Sequence, residues 1–296
     1  MGLGRRAAGR IMGNERSPIV PLTAAQMASA ELRLAIAGDV GHPSAELELT
    51  VAAMADEHAR RPFDALVLLG DNIYPDGDPA RVREAVLDPL APILGRGVDL
   101  AAVLGNHDVD QGRPDEVARR LGMPARWYER RFGAVQLLAL DSTRPADREQ
   151  GAWVNRTLAG SDAAFRVVAL HHPPYSAGWH GSSRAVRRAF GPAFARHGVD
   201  VVLAGHEHDY QRSKPIRGTV YVVSGAATHL RATGKRRFTA AAHSQHHFLD
   251  LWVIEGQVVI QPIGHDRQAF DQTVLPIRAT GGGPVEACAP GNQRVD

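Results

Sequence analysis

The stretch LRLAIAGDVG, Leu32 to Gly41, and its echo ALVLLGDNIY, Ala65 to Tyr74, decide how this chain is to be read. Each opens on a short apolar run, Leu32–Ala37 and Ala65–Leu69, and each run ends in Gly-Asp. Runs of that length bounded by turn residues are the pattern of strands buried on both faces. Between them, Ala45–Arg60 carries Leu47, Val51 and Met54 at helical spacing. Pro79–Leu94 reads as a second helix, and Val98–Leu104 as a third strand that ends in Gly105-Asn106-His107. Strand–helix–strand repetition implies βαβ units and a largely parallel sheet.

Further along, the pattern loosens. Trp127–Phe132 and Val135–Leu140 are close enough to form a hairpin around Gly133. A helix near Gln150–Leu158 precedes a strand at Val167–Leu170, and a helix at Arg184–His197 precedes a strand at Val201–Ala204. Val220–Val223, Phe248–Ile254 and Val258–Ile263 have the look of antiparallel strands. The expectation is an α/β (α+β) fold: two mixed β-sheets flanked by helices in a four-layer αββα sandwich. One domain would fill residues 31–276, after a flexible leader at 1–30 and before a disordered Gly- and Pro-containing tail at 277–296.

Composition narrows the class. The 296 residues suffice for one large core, and 44% hydrophobic with 22% charged residues is ordinary for a globular protein. The formal net charge is +2, and the densest basic patch, Arg231–Arg237, is too short for a nucleic-acid tail. No apolar run reaches the roughly 18 residues of a membrane-spanning helix, so neither a nucleic acid nor a membrane is an expected partner. Cys288 is the only cysteine, which excludes a disulfide within the chain. Arg5, Arg6 and Arg10 precede an apolar stretch, Ile19 to Ala30, but Pro21, Thr23 and Gln26 interrupt it, which argues against a signal peptide. A cytoplasmic location is the expectation, with export as the alternative.

Five polar blocks follow the strands: Gly38-Asp39-Val40-Gly41, Gly70-Asp71-Asn72-Ile73-Tyr74, Gly105-Asn106-His107-Asp108, His171-His172-Pro173-Pro174-Tyr175 and Gly205-His206-Glu207-His208. Loops at the carboxyl ends of strands in an open α/β sheet gather along one edge, so these blocks would converge. Carboxylate, amide and phenolate oxygens suit hard cations, and imidazole suits iron, zinc and manganese. One carboxylate between two cations about 3.5–4 Å apart is a common bridge. His206 and His208 are two apart, so in extended chain both face one side.

Gly-Asp-x-x-Tyr, Gly-Asn-His, His-x-Pro-x-Tyr and Gly-His-x-His, in this order after the first Gly-Asp, resemble the signature of the purple acid phosphatases, a branch of the calcineurin-like metallophosphoesterases. The resemblance covers about residues 33–263. The wider superfamily opens with Asp-x-His; here Gly41 stands where that histidine would be, and Tyr74 stands where the purple acid phosphatases place a substitute ligand. The resemblance implies a first metal held by Asp39, Asp71, Tyr74 and His208, and a second held by Asp71, Asn106, His171 and His206. It implies Fe(3+) in the first site and Fe(2+), Zn(2+) or Mn(2+) in the second. His180, nine residues after His171, stands at the spacing of a substrate-facing histidine in the small mammalian-type enzymes.

On this reading the substrate is a small phosphate ester, hydrolysed as a monoester by a metal-bound hydroxide. His107, beside the ligand Asn106, would protonate the leaving group as general acid, with His180 assisting. A phosphodiesterase or nucleotide hydrolase on the same metals is the alternative, and an inactive metal-binding scaffold the second alternative. His172 occupies the variable position of its motif and reads as a packing or orienting residue. His42, three residues after Asp39, falls outside the ligand spacing. His58 and His197 read as helix-surface residues, His229, His243, His246 and His247 as structural histidines, and Glu207 and Tyr210 as orienting neighbours.

Overall fold

A computed structural model describes residues 19–278 apart from residue 96. The expectations placed on residues 1–18 and 279–296, Cys288 included, lie outside the described residues. In chain order the strands are β1 Leu32–Ala37, β2 Ala65–Leu68, β3 Asp99–Ala102, β4 Tyr128–Phe132, β5 Val135–Ala139, β6 Phe165–Leu170, β7 Val201–Ala204, β8 Tyr210–Ser213, β9 Val220–Ser224, β10 Thr239–His243, β11 His247–Ile254, β12 Gln257–Gly264 and β13 Thr273–Pro276. The α-helices are α1 Ala24–Ser29, α2 Ala45–Arg60, α3 Ala91–Leu94, α4 Pro114–Arg120, α5 Arg148–Ala159 and α6 Arg184–Arg196.

The strands form two mixed sheets, ordered β13-β12-β11-β1-β2-β3 and β10-β8-β9-β7-β6-β5-β4. In the first, β1, β2 and β3 run parallel; in the second, β5, β6, β7 and β9 do. Neighbouring residues of the second sheet belong to different cores. Leu137, Val167, Val201 and Leu203 join the large core that also takes in the first sheet, whereas Leu138, Val168, Leu170 and Val202 pack with Val154 of α5 and Phe190 and Phe194 of α6. Side chains alternate across a strand, so a sheet buried on both faces yields this split. On the far side of the first sheet, Trp252 and Ile254 meet Leu22 and Met27 beside and within α1. Two sheets flanked by helices give the expected layered sandwich.

The elements differ from expectation in four places. Pro79–Leu94 is not one helix: a 3₁₀ turn at Pro79–Arg81 and a π turn at Arg83–Leu87 precede α3. Pro89 and Pro92 lack the N–H a continuous helix needs. Residues 24–29, expected to be flexible leader, form α1, capped reciprocally by Thr23 and Gln26. His58, expected on the surface, is buried and its Nδ1 accepts from the Phe63 N–H at 3.2 Å. The short strands β8, β10 and β13 and helix α4 carry no periodic pattern long enough to announce them.

Candidate metal centre

All five polar blocks lie at the carboxyl ends of parallel strands, Asp39, Asp71 and Asn106 after β1, β2 and β3, His171 after β6, and His206 after β7. The two sheets therefore deliver them to one end of the sandwich. The backbone is bent to do so. Asp39, Asp71 and His206 hold left-handed φ angles of 60°, 50° and 71°. Residues without a glycine's freedom adopt that region at a cost of about 1–3 kcal/mol, and such strain collects at functional sites. Gly105 is required by close approach: a Cβ there would stand 2.1 Å from the Asp71 Oδ1.

The side chains form two groups that share Asp71. In one, the Tyr74 hydroxyl donates towards Asp71 Oδ2 at 3.1 Å and Asp39 Oδ1 at 3.2 Å, with His208 Nε2 3.4 Å from both the hydroxyl and Asp39 Oδ1. In the other, His171 Nε2 lies 3.1 Å from Asn106 Oδ1 and 3.3 Å from Asp71 Oδ1. The His206 ring is 5.0 Å from that of His171, and ligand atoms of His171, His172 and His206 lie within 4.8 Å of one another. Asp39, Asp71 and His171 satisfy the same limit. Donors on adjacent corners around a metal bound at about 2.0–2.2 Å stand about 3.0–3.5 Å apart; the first group has this spacing in each of its pairs above, and in the second His171 has it to Asn106 and Asp71. Asp71 turns one oxygen to each group.

Supporting contacts hold these atoms in place. Asp39 Oδ2 accepts the His206 N–H at 2.9 Å and Asp71 Oδ1 accepts the His107 N–H at 3.0 Å. His171 Nδ1 faces the Leu69 carbonyl at 2.8 Å, which leaves Nε2 for the cluster. Gly41 explains the absent histidine. A Cβ at that position would lie 2.4 Å from the Asn72 and Ile73 backbone, and the Gly41 carbonyl accepts the Tyr74 N–H at 3.1 Å. The loop carrying Tyr74 therefore occupies the space a side chain at 41 would need.

Electrostatics reflect crowding. Burial disfavours a charged Asp71, yet the neighbouring His171 outweighs it and holds the carboxyl below its usual range. Burial also opposes a charged His171, but Asp71 carries its pKa up to about 9. Burial and the His171 and His172 rings depress His206 to about 2. Burial and the Asp39 and Asp71 carboxylates keep the proton on Tyr74 when no cation competes for the phenolate.

His107 Nδ1 lies 2.5 Å from the Pro75 carbonyl, and its ring is 4.5 Å from that of Tyr74. His180 stacks on His206 at 4.3 Å. His107, His180, His206, His208 and Tyr74 line one cleft of about 450 Å³. Several residues were missed in the sequence. His229, read as structural, lines the same cleft and stacks on His208 at 5.3 Å; Arg231 lines it too. Both follow β9, another parallel strand on the same edge, and that placement was the available signal. His42, set aside on spacing, also lines the cleft, its ring tilted against His229 at 5.0 Å. Asp108 staples two of the loops, accepting the Asn72, Ile73 and Gly105 N–H groups at 2.7–3.0 Å. Tyr210 faces away, its hydroxyl donating to Asp271 at 2.7 Å.

Comparison with known proteins agrees with this arrangement. Residues 32–210 match the model of the calcineurin-like phosphoesterase family. Tartrate-resistant acid phosphatase type 5 of Rattus norvegicus is 28% identical over 197 residues, which is 55% of this chain and 60% of that protein. The Sus scrofa protein of the same name is 26% identical over 260 residues, covering 73% of this chain and 76% of its own length. In three dimensions, a purple acid phosphatase from yellow lupin (Lupinus luteus) seeds superposes with a TM-score of 0.76 at 16% identity, over 89% of this chain and 57% of that one. The chain belongs to the calcineurin-like phosphoesterase family, and its similarities within it run to the tartrate-resistant and purple acid phosphatases.

Proposed function

We propose that the chain is a binuclear-metal phosphomonoesterase acting on a small phosphate ester. The observation that carries this reading is the division of Asp71, whose two carboxylate oxygens face two separate groups of ligand atoms. Asp39, Asp71, Tyr74 and His208 would hold one cation, and Asp71, Asn106, His171 and His206 the other. A phenolate is a hard anionic donor, which favours Fe(3+) in the first site; the amide and imidazoles of the second suit Fe(2+), Zn(2+) or Mn(2+). Two cations so placed would neutralise the anionic ester and lower the pKa of a bound water towards about 7.

The chain's own residues supply the remainder. His107 Nδ1 donates to the Pro75 carbonyl, so Nε2 is the exchangeable nitrogen; it lies 3.9 Å from Asp71 Oδ2, on the side of the cluster. That fixed ring can hand a proton to a departing alkoxide, a contribution typically worth ~10²–10⁴ in rate. The test is leaving-group dependence. His107→Ala should retain its metals yet lose about 10²-fold or more on an alkyl phosphate and far less on p-nitrophenyl phosphate, whose leaving group needs little protonation. Equal losses on both would remove His107 from the acid's role.

A further inference from the structure

Behind His180, at the mouth of the cleft, lies a buried carboxylate whose contacts the proposed hydrolysis does not account for. Glu207, between the two histidines of Gly-His-Glu-His, is 1% exposed. Its Oε1 accepts the Gly181 N–H at 2.7 Å and the Ser176 hydroxyl at 3.1 Å. Its Oε2 is buried without a hydrogen-bond partner and lies 3.6 Å from His180 Nδ1, beyond hydrogen-bond length but within ion-pair reach. A buried carboxylate oxygen left this way is destabilising, so its orientation towards the ring calls for a use. The tautomer with its proton on Nδ1 faces Glu207, and it leaves Nε2 as an acceptor. Arg231 Nη1 lies against the ring edge, 2.8 Å from that nitrogen and 3.2 Å from Nδ1.

Arg231 is fixed from behind as well. Its N–H donates to the His208 carbonyl at 2.8 Å, and its own carbonyl accepts the Ser244 hydroxyl at 2.8 Å. Among the described residues no carboxylate lies within ion-pair distance of its guanidinium, and Asp71 is the only carboxylate lining the cleft. The same loop continues into exposed Lys235, Arg236 and Arg237. A guanidinium braced on an imidazole and facing a cleft is therefore left with no internal anion to satisfy it. It stands one ring away from His206, on which His180 stacks.

We propose that Arg231 is a specificity-determining residue that binds a second anionic group, a carboxylate or another phosphate, adjacent to the phosphoryl group of the substrate. Glu207 and His180 are positioning residues that aim it. This deepens the phosphomonoesterase reading and rests on it. Planar guanidinium donors match carboxylate and phosphate oxygens in pairs, and a hydrogen bond between charged groups is worth about 1.5–3 kcal/mol, or roughly 10–100-fold.

The experiment compares two esters of nearly equal size on the metal-loaded full chain: phosphoglycolate, which carries a carboxylate, and ethyl phosphate, which does not. In parallel, calorimetry compares binding of pyrophosphate with that of orthophosphate, which tests a second phosphate as the anion. Wild type should favour phosphoglycolate in kcat/KM, pyrophosphate in affinity, or both, and the arm that responds names the anion. Arg231→Gln should cut that preference about 10–100-fold, mainly through KM, and Arg231→Lys should restore part of it. A preference that survives Arg231→Gln, or losses equal on both members of each pair, would overturn the assignment. If wild type hydrolysed neither ester, the phosphatase reading would fail while the calorimetric pair still decided Arg231.

Discussion

The cluster around Arg33 and the cluster around Asp71 both bury charge, and they are finished differently. Beneath the first sheet, Arg33 is fully buried and all five of its N–H groups are used. Nε and Nη2 donate to Asp250 at 2.9 and 2.7 Å, Nη2 also to Glu57 Oε2 at 2.9 Å, and Nη1 to the Glu57 and Arg61 carbonyls at 2.7 and 2.5 Å. Phe63 and Trp252 cover its faces at 4.4 and 4.0 Å. At the candidate metal centre, Asp39 and Asp71 are as deeply buried, yet among the described residues no guanidinium or ammonium lies within ion-pair distance of them. What faces Asp71 there is a proton on His171, which a metal can displace. A structural cluster carries a permanent counterion, whereas a binding cluster carries an exchangeable one.

That contrast breaks first at Arg33. Arg33→Met leaves buried Asp250 without its cation and Glu57 with only the exposed Arg60, and should cost about 3–5 kcal/mol, measured by denaturant unfolding. The loss should be the same with and without chelator. Wild type, by contrast, should lose stability on chelation by an amount set by free metal over its dissociation constant, about 2.7 kcal/mol at a hundredfold excess. A chelator effect on wild type near zero would mean that the open cluster is closed by something else.

A smaller effect is expected at His247, where the fold disfavours charge on a buried ring. Its ring is buried, with Nε2 2.9 Å from the Ser224 hydroxyl, and burial pushes its pKa from 6.5 down to about 4. The unfolded chain takes up the proton below about pH 6.5 while the folded chain refuses it until about pH 4, so stability falls as pH drops through that window. The term should amount to about 2 kcal/mol between pH 7 and pH 5. In His247→Asn, the difference in unfolding free energy between those two pH values should shrink by that amount. An unchanged difference would show that His247 is protonated in the fold.

Much of the centre was legible because its residues sit in short blocks right after strands, where strand order alone brings them together. Asp39, Asp71, Tyr74, Asn106, His171, His206 and His208 needed no side-chain detail to be singled out. The rim was legible only in part: His180 was named from its spacing and Glu207 as an orienting neighbour, but Arg231 and the contact among the three were not. Glu207, His180 and Arg231 meet across 51 residues of sequence through loops that have no period, and nothing in ATHLRATGK shows which side chain turns inward. Arg33 was hidden in plain view: one arginine in LRLAIA does not disturb a strand reading, and its partners at 57 and 250 come from a helix and a neighbouring strand. The segment 79–94 misled because helical spacing persists through prolines that end the helix.

If Asp71 bridges two cations, metal stoichiometry must follow its side chain. Elemental analysis of the chain purified without chelator should give two transition-metal ions per chain. Asp39→Ala, which removes a ligand from one group only, should retain one of them, whereas Asp71→Ala should retain neither. One metal or none in the wild type, or two in Asp71→Ala, would contradict the account.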